Sequence, residues 1–193
     1  MSAFTLDTVF AQSHTANAFT SQAVDVALLE RAYMESRWAP TAMNMSPLRL
    51  VYVKSAEAKA RLKDCLSPGN VDKTMAAPVT AIAAWDPQFH AHLGTLAPAM
   101  PGAGERFAND AALAQKAGVQ SATLQIGYFI LAARMLGLGV GPMGGFAADK
   151  VDSAFLAESG WRSLLLLNLG YADPAGHRPR APRLDASQAV QFV

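Results

Sequence analysis

Asn70 and Lys73 stand three residues apart in a short helical stretch, which turns them to the same side. An amide both donates and accepts a hydrogen bond, so Asn70 can match the alternating edge of a uracil-like ring. A lysine beside such a ring stabilises negative charge developing on it. The competing reading is structural: Asn70 caps the short helix and Lys73 is a solvated charge. Arg178 and Arg180 suit a phosphate, because guanidinium grips one through parallel N–H donors. Tail arginines serve equally well as solvated charges.

Other patterns carry less. Gly139-Val-Gly141-Pro142-Met143-Gly144 has the spacing of a dinucleotide fingerprint, but that motif needs a strand before it and a helix opening from it. A helical pattern precedes it and Pro142 interrupts it. Its glycines still let a backbone approach a flat ligand closely. His90-Ala-His92 lacks a nearby acid or third histidine, so a solvated loop is favoured over a metal site. Cys65 reads as core rather than nucleophile. No Ser-His-Asp arrangement stands out, and no catalytic residue is assigned.

These residues need elements to hold them. Leu6–Phe10 can start a short helix, and a helix runs from Val26 to about Trp38 behind an Asp25 cap. The loop from Trp38 to Arg49 holds Pro40, Thr41, Ala42, Met43, Asn44, Ser46 and Pro47. Its prolines restrict the backbone, and its amides and hydroxyls could line a planar polar ligand or simply connect two elements. Leu48–Val53 reads as a strand, 56–66 as a helix with Ser55 as cap, and 71–76 as one or two helical turns. Pro78–Trp85 and Ser163–Leu169 are near-continuous apolar runs, as in covered strands. Residues 86–117 look like an excursion with a short helix near 105–115, either a lid or a dispensable insertion. It has five glycines and prolines between Gly94 and Gly104. The stretch 119–136 reads as a buried helix, with residues 137–146 as a loop after it and Asp149 capping a further short helix.

The chain has 193 residues, 51% of them apolar and 16% charged, with a net charge of +1. This predicts a single domain over 1–193, and more apolar surface than one subunit can hide, hence an oligomer. The near-neutral balance leaves no electrostatic footprint for nucleic acid. Gln120, Ser121, Gln125 and Arg134 would be costly in lipid, so the apolar helix is not a membrane span. Met1–Asp7 lacks the basic region and long apolar core of a signal peptide. A single cysteine permits no intramolecular disulfide and fits a reducing compartment, so a cytoplasmic location is expected.

Five stretches, in order, resemble the FMN-dependent nitroreductase family, closest to the subgroup with malonic semialdehyde reductase. They are Trp38–Arg49, Gly69–Asp86, Leu136–Phe146, Asn168–Tyr171 and Arg180–Leu184. The resemblance implies an α+β fold with a mixed, largely antiparallel sheet flanked by helices. It also implies a homodimer about the long central helix, with FMN at the interface and the C-terminal tail reaching onto the partner. By the same resemblance Asn70 and Lys73 hold the pyrimidine edge of the flavin. Pro142, Met143, Gly144 and Gly145 pass its redox nitrogen, Thr41, Ala42 and Asn44 contact it from the other subunit, and Arg178 and Arg180 hold its phosphate. The family's N-terminal Arg-x-Ser-x-Arg/Lys motif reads His14, Thr15, Ala16 and Asn17 here after Ser13, so its cations are missing. Gly144 replaces a frequent glutamate. The implied activity is hydride transfer from NADH or NADPH through FMN to a small aldehyde, nitro compound or quinone. Two alternatives are a flavin-binding storage or sensing module and a structural dimer without flavin.

Overall fold

The computed structural model describes residues 6–193. Residues 1–5, part of the stretch inspected for leader features, lie outside the described residues. The helices are α1 (Leu6–Val9), α2 (Val26–Ser36), α3 (Ala56–Lys63), α4 (Val71–Ala76), α5 (Leu93–Leu96), α6 (Ala103–Ala108), α7 (Ala111–Met135), α8 (Ala148–Val151) and α9 (Ala186–Ala189). The strands are β1 (Leu48–Val53), β2 (Val79–Trp85), β3 (Gly139–Met143) and β4 (Arg162–Gly170). They form one sheet in the order β1-β2-β4-β3, and every pairing in it is antiparallel. The α+β class is as expected.

Alternation along the strands builds two cores, because successive side chains point to opposite faces. On one face Ala81, Ala83, Val140, Leu167 and Leu169 pack with Leu29 and Ala32 of α2 and Ile126, Phe129 and Ala133 of α7. On the other face Ile82, Ala84, Met143 and Leu166 pack with Leu62 of α3, Cys65 and Val151 of α8. β2 is buried along its whole length, which explains its unbroken apolar sequence. Cys65 is a core residue, as its apolar setting suggests.

Three boundaries differ from the sequence reading. The central helix starts at Ala111, not 119, so it absorbs the end of the predicted excursion, and the helix predicted near 105–115 is divided between α6 (Ala103–Ala108) and the first turn of α7. Asp110 caps it, its side chain accepting from Leu113 N at 2.9 Å. The glycine stretch after this helix is not a loop: Gly139–Met143 is strand β3, paired with β4 from Gly139↔Gly170 to Met143↔Leu166. Local propensity underrates that strand, since glycine and proline are poor strand formers and only the β4 partner supplies the pairing. Proline is tolerated because β3 is an edge strand. Finally, Ala147 rather than Asp149 occupies the cap position of α8.

Two polar residues of the apolar helix are tied to the segment before β1 and to its start. Gln125 Oε1 accepts from Leu48 N at 3.0 Å and Ser121 Oγ from Ala42 N at 3.4 Å. Among the described residues no helix is long and apolar enough to cross a membrane.

Candidate functional site

β3 is the spine of the candidate site. Its free edge is covered by the N-terminal segment: Ala16 N donates to Val140 O at 3.0 Å, and Phe19 bridges Ala172 beyond β4. The approach is close enough to require glycine. A Cβ on Gly141 would stand 2.6 Å from Ala16 O. This contact brings Ser13, His14, Thr15 and Asn17 beside the start of β3.

The C-terminal tail meets the same segment. Arg180 Nη2 donates to Ala11 O at 2.5 Å and to Ser13 O at 2.6 Å, and His14 stacks on His177 with ring centroids 4.9 Å apart. The result is a two-lobed cavity of about 370 and 390 Å³. The first lobe is lined by His14, Thr15, Asn17, Arg134, Arg178, Arg180 and Arg183, among others. Ser13, His14 and Arg134 are common to both lobes, and among the described residues no carboxylate lines either. His14, Thr15 and Asn17, the counterparts of the N-terminal motif, and Arg178 and Arg180, expected at a phosphate, thus wall one space although some 160 residues separate the two groups. Arg180 spends one nitrogen on backbone carbonyls, but guanidinium has five N–H donors, so others remain.

Arg134 escaped the sequence reading, although it is a lone charge at the C-terminal end of a long apolar helix. Its Nε is buried and has no hydrogen-bond partner among the described residues. Burial, and then the nearby Arg180, lower its pKa. His177 was also missed; nothing in its sequence neighbourhood marks it.

At the far end of β3, Asn70 Nδ2 donates to Gly145 O at 2.8 Å. A Cβ on Gly145 would lie 2.4 Å from Asn70 Nδ2, so glycine is what allows this contact. Asn70 occupies the cap position of α4 but makes no side-chain cap bond, so the plain capping role is not the one it takes. Lys73, one turn on, is half-buried, with no ion-pair partner among the described residues. Pro142, Met143, Gly144 and Gly145 continue the platform, with Gly144 exposed and Met143 buried.

A buried polar network locks α4 to this platform. Asn168 Nδ2 donates to Thr74 Oγ1 at 3.1 Å, Thr80 Oγ1 donates to Asn168 Oδ1 at 2.9 Å, and Thr74 lies against the Met143 sulfur at 3.5 Å. Thr74, Thr80 and Asn168 are all 0% exposed. Hydrogen bonding of this completeness makes burial of three polar side chains tolerable and specific. Lys59, also buried, donates from Nζ to Thr74 O at 2.7 Å and to Ala77 O, tying down the end of α4.

Thr41, Ala42 and Asn44 line neither lobe of the arginine cavity. They sit in the loop before β1, where Met43, Asn44 and Ser46 all take positive φ values of 51°, 52° and 41°. Such backbone is unusual for residues other than glycine. It is held by Asn44 Nδ2 donating to Leu96 O at 2.9 Å and Ser46 N donating to Thr41 Oγ1 at 3.3 Å. His90 and His92 form no metal cluster: among the described residues no group of three or more potential ligands occurs.

The profile of the nitroreductase family matches residues 11–171. A protein of Leptothrix cholodnii, provisionally named an NADH dehydrogenase/NAD(P)H nitroreductase, is 48% identical over 188 residues, covering 97% of this chain and 95% of its own. A similarly named protein of Burkholderia lata is 51% identical over 180 residues, covering 93% and 92%. Among solved structures, a provisionally named nitroreductase of Exiguobacterium sibiricum, crystallised with FMN, superposes with a TM-score of 0.85 at 19% identity, covering 100% of this chain and 99% of that one. With the profile spanning most of its length and relatives near half identical along nearly all of it, this chain belongs to the nitroreductase family.

Proposed function

We propose that the chain is an FMN-dependent NAD(P)H oxidoreductase that reduces a small aldehyde of the malonic semialdehyde type, a nitro compound or a quinone. The observation that carries the proposal is the placement of two complementary grips at opposite ends of β3. A carboxylate-free cavity with arginines lies at its start, and an amide and an ammonium lie at its end. One strand of backbone separates them, roughly 10 Å from Val140 to Met143 at ~3.3 Å per residue. Phosphate at one end and a pyrimidine edge at the other fit the chemistry of these residues. Two further observations agree with the group: the orphaned Nε of Arg134, and the glycines that keep side chains off the platform.

On this reading Arg178 and Arg180, with His14, Thr15 and Asn17, hold the phosphate. Asn70 pairs with the ring edge, and Lys73 stabilises negative charge on it. The backbone of Pro142, Met143, Gly144 and Gly145 runs beside the ring. FMN held there would supply the two-electron redox chemistry between NADH or NADPH and the substrate. No side chain of this chain is assigned as proton donor, so the proton needed to reduce an aldehyde would come from solvent.

Thr41, Ala42 and Asn44 would complete the site from a second copy of the chain. A homodimer is supported by α7, which exposes Leu124, Tyr128 and Met135 at 48%, 44% and 45% on a stripe of helical spacing. A cytoplasmic location is in keeping with the lone buried thiol.

The visible spectrum of the purified protein, followed by anaerobic titration with each nicotinamide, tests this. The protein is expected to be yellow, or to become so with FMN, and to bleach at catalytic rates. A protein that stays colourless after incubation with FMN overturns the proposal, and one that binds FMN but resists NADH and NADPH is a store or sensor instead. Sedimentation of the same sample as a monomer would remove the second-copy contacts.

A further inference from the structure

We propose that Arg134 of α7 is a phosphate-binding residue, supplying from the central helix the positive charge that the N-terminal segment lacks. This rests on the FMN reading above and adds a ligand-binding residue to it. Three observations converge. Arg134 lines both lobes of the cavity shared by His14 and Ser13. Its Nε is buried and has no partner among the described residues, although a buried polar group normally has one. Its charge is also unpaired: the ion pairs of the described residues use Arg31, Arg49 and Arg162, and no acid lines either lobe.

Arg134 and Arg180 are like charges close enough to disfavour each other's presence, and burial adds to the cost for Arg134. A site arranged this way gains most from a dianion set between its cations. The position in the fold explains how the charge is delivered. The segment from Ser13 to Asn17 carries a histidine, two hydroxyls and an amide, but no permanent cation. It lies against β3, and the last turn of α7 leads into β3 through Gly137 and Leu138. A guanidinium at that turn therefore reaches the same space from behind. The arginine could instead be structural, its stem covering apolar surface and its charge facing the helix C-terminus. The test has to separate these roles.

FMN and riboflavin, which differ by the phosphate alone, are titrated into the flavin-free wild type, Arg134→Lys and Arg134→Met. Arg134→Met keeps an unbranched apolar stem and removes the charge. It is expected to weaken FMN ten- to a hundredfold, the loss of one charge-assisted contact, while riboflavin affinity stays within about twofold. Arg134→Lys should fall between. Unchanged FMN affinity in Arg134→Met overturns the proposal, as does an equal weakening of FMN and riboflavin, which marks a structural role. A second measurement does not need flavin: inorganic phosphate should raise the melting temperature of the wild type but not of Arg134→Met. The same rise in both proteins, or none in the wild type, overturns the anion site. A wild type that takes up neither flavin sinks the FMN reading, whereas a phosphate effect lost only in Arg134→Met still supports the arginine's role.

Discussion

Gly141→Ala should damage both stability and cofactor affinity, because the added carbon meets main chain rather than a movable side chain. The new Cβ would lie 2.6 Å from Ala16 O, about 0.8 Å inside the 3.4 Å at which ordinary contact begins. Gly141 is buried in the edge strand and cannot retreat without breaking its pairing with Asn168. The covering segment must therefore move, which strains or breaks the Ala16 N–Val140 O bond of 3.0 Å. Overpacking of this kind costs about 1–3 kcal/mol, and the lost hydrogen bond about 1 kcal/mol more. A destabilisation of roughly 2–4 kcal/mol is expected in urea denaturation. His14, Thr15 and Asn17 move with the segment, so FMN affinity in a fluorescence titration should fall by about tenfold or more. Gly144→Ala is the control. It is exposed and its Cβ would find only Leu165 Cδ2 at 4.0 Å, so it should stay within about 0.5 kcal/mol of wild type. Equal stability and equal FMN affinity of Gly141→Ala and wild type would refute the claim that residues 13–17 are set by contact with β3.

Two more predictions concern the anchoring of α4. Asn168→Leu strands the buried hydroxyls of Thr74 and Thr80 and should cost about 2–4 kcal/mol in denaturant melts, whereas a loss below about 0.5 kcal/mol would mean the network is dispensable. Lys59 is pushed down to about 8 by burial, so its charged form is disfavoured in the folded chain. Between about pH 8 and about pH 10.4 the unfolded chain holds this proton more firmly than the folded one, and stability contributed by Lys59 rises with pH across that window. Melts at pH 7.5, 9 and 10.5 should show wild type gaining on Lys59→Gln as pH rises; parallel curves would contradict the assigned shift.

Much of this protein is written locally. Local pattern identified α2 by its spaced apolar stripe, α3 by its Ser55 cap, β1 by its β-branched and aromatic residues, and β2 and β4 by their unbroken apolar runs. The pairing of Asn70 with Lys73 and the cluster of tail arginines were visible as residue types at suggestive spacing. Their functional weight came from the ordered resemblance to a family, not from the spacing itself. Even the polar residues in the apolar helix were a legible signal, and Gln125, Ser121 and Arg134 each answer it with a specific position in the structure.

Other features exist only through tertiary contact. Gly139–Met143 has the composition of a loop and becomes a strand because β4 offers it a ladder. His14, Arg134 and the tail residues His177 and Arg180 come from three separate stretches; their shared space arises because the N-terminal segment, the end of α7 and the tail all converge at the start of β3. The Asn70–Gly145 bond joins residues 75 positions apart and depends on a missing side chain at Gly145. Sequence pattern reports which face of an element seeks burial. Which distant atoms then meet is decided by how those faces are stacked, and that information is not carried by any single stretch.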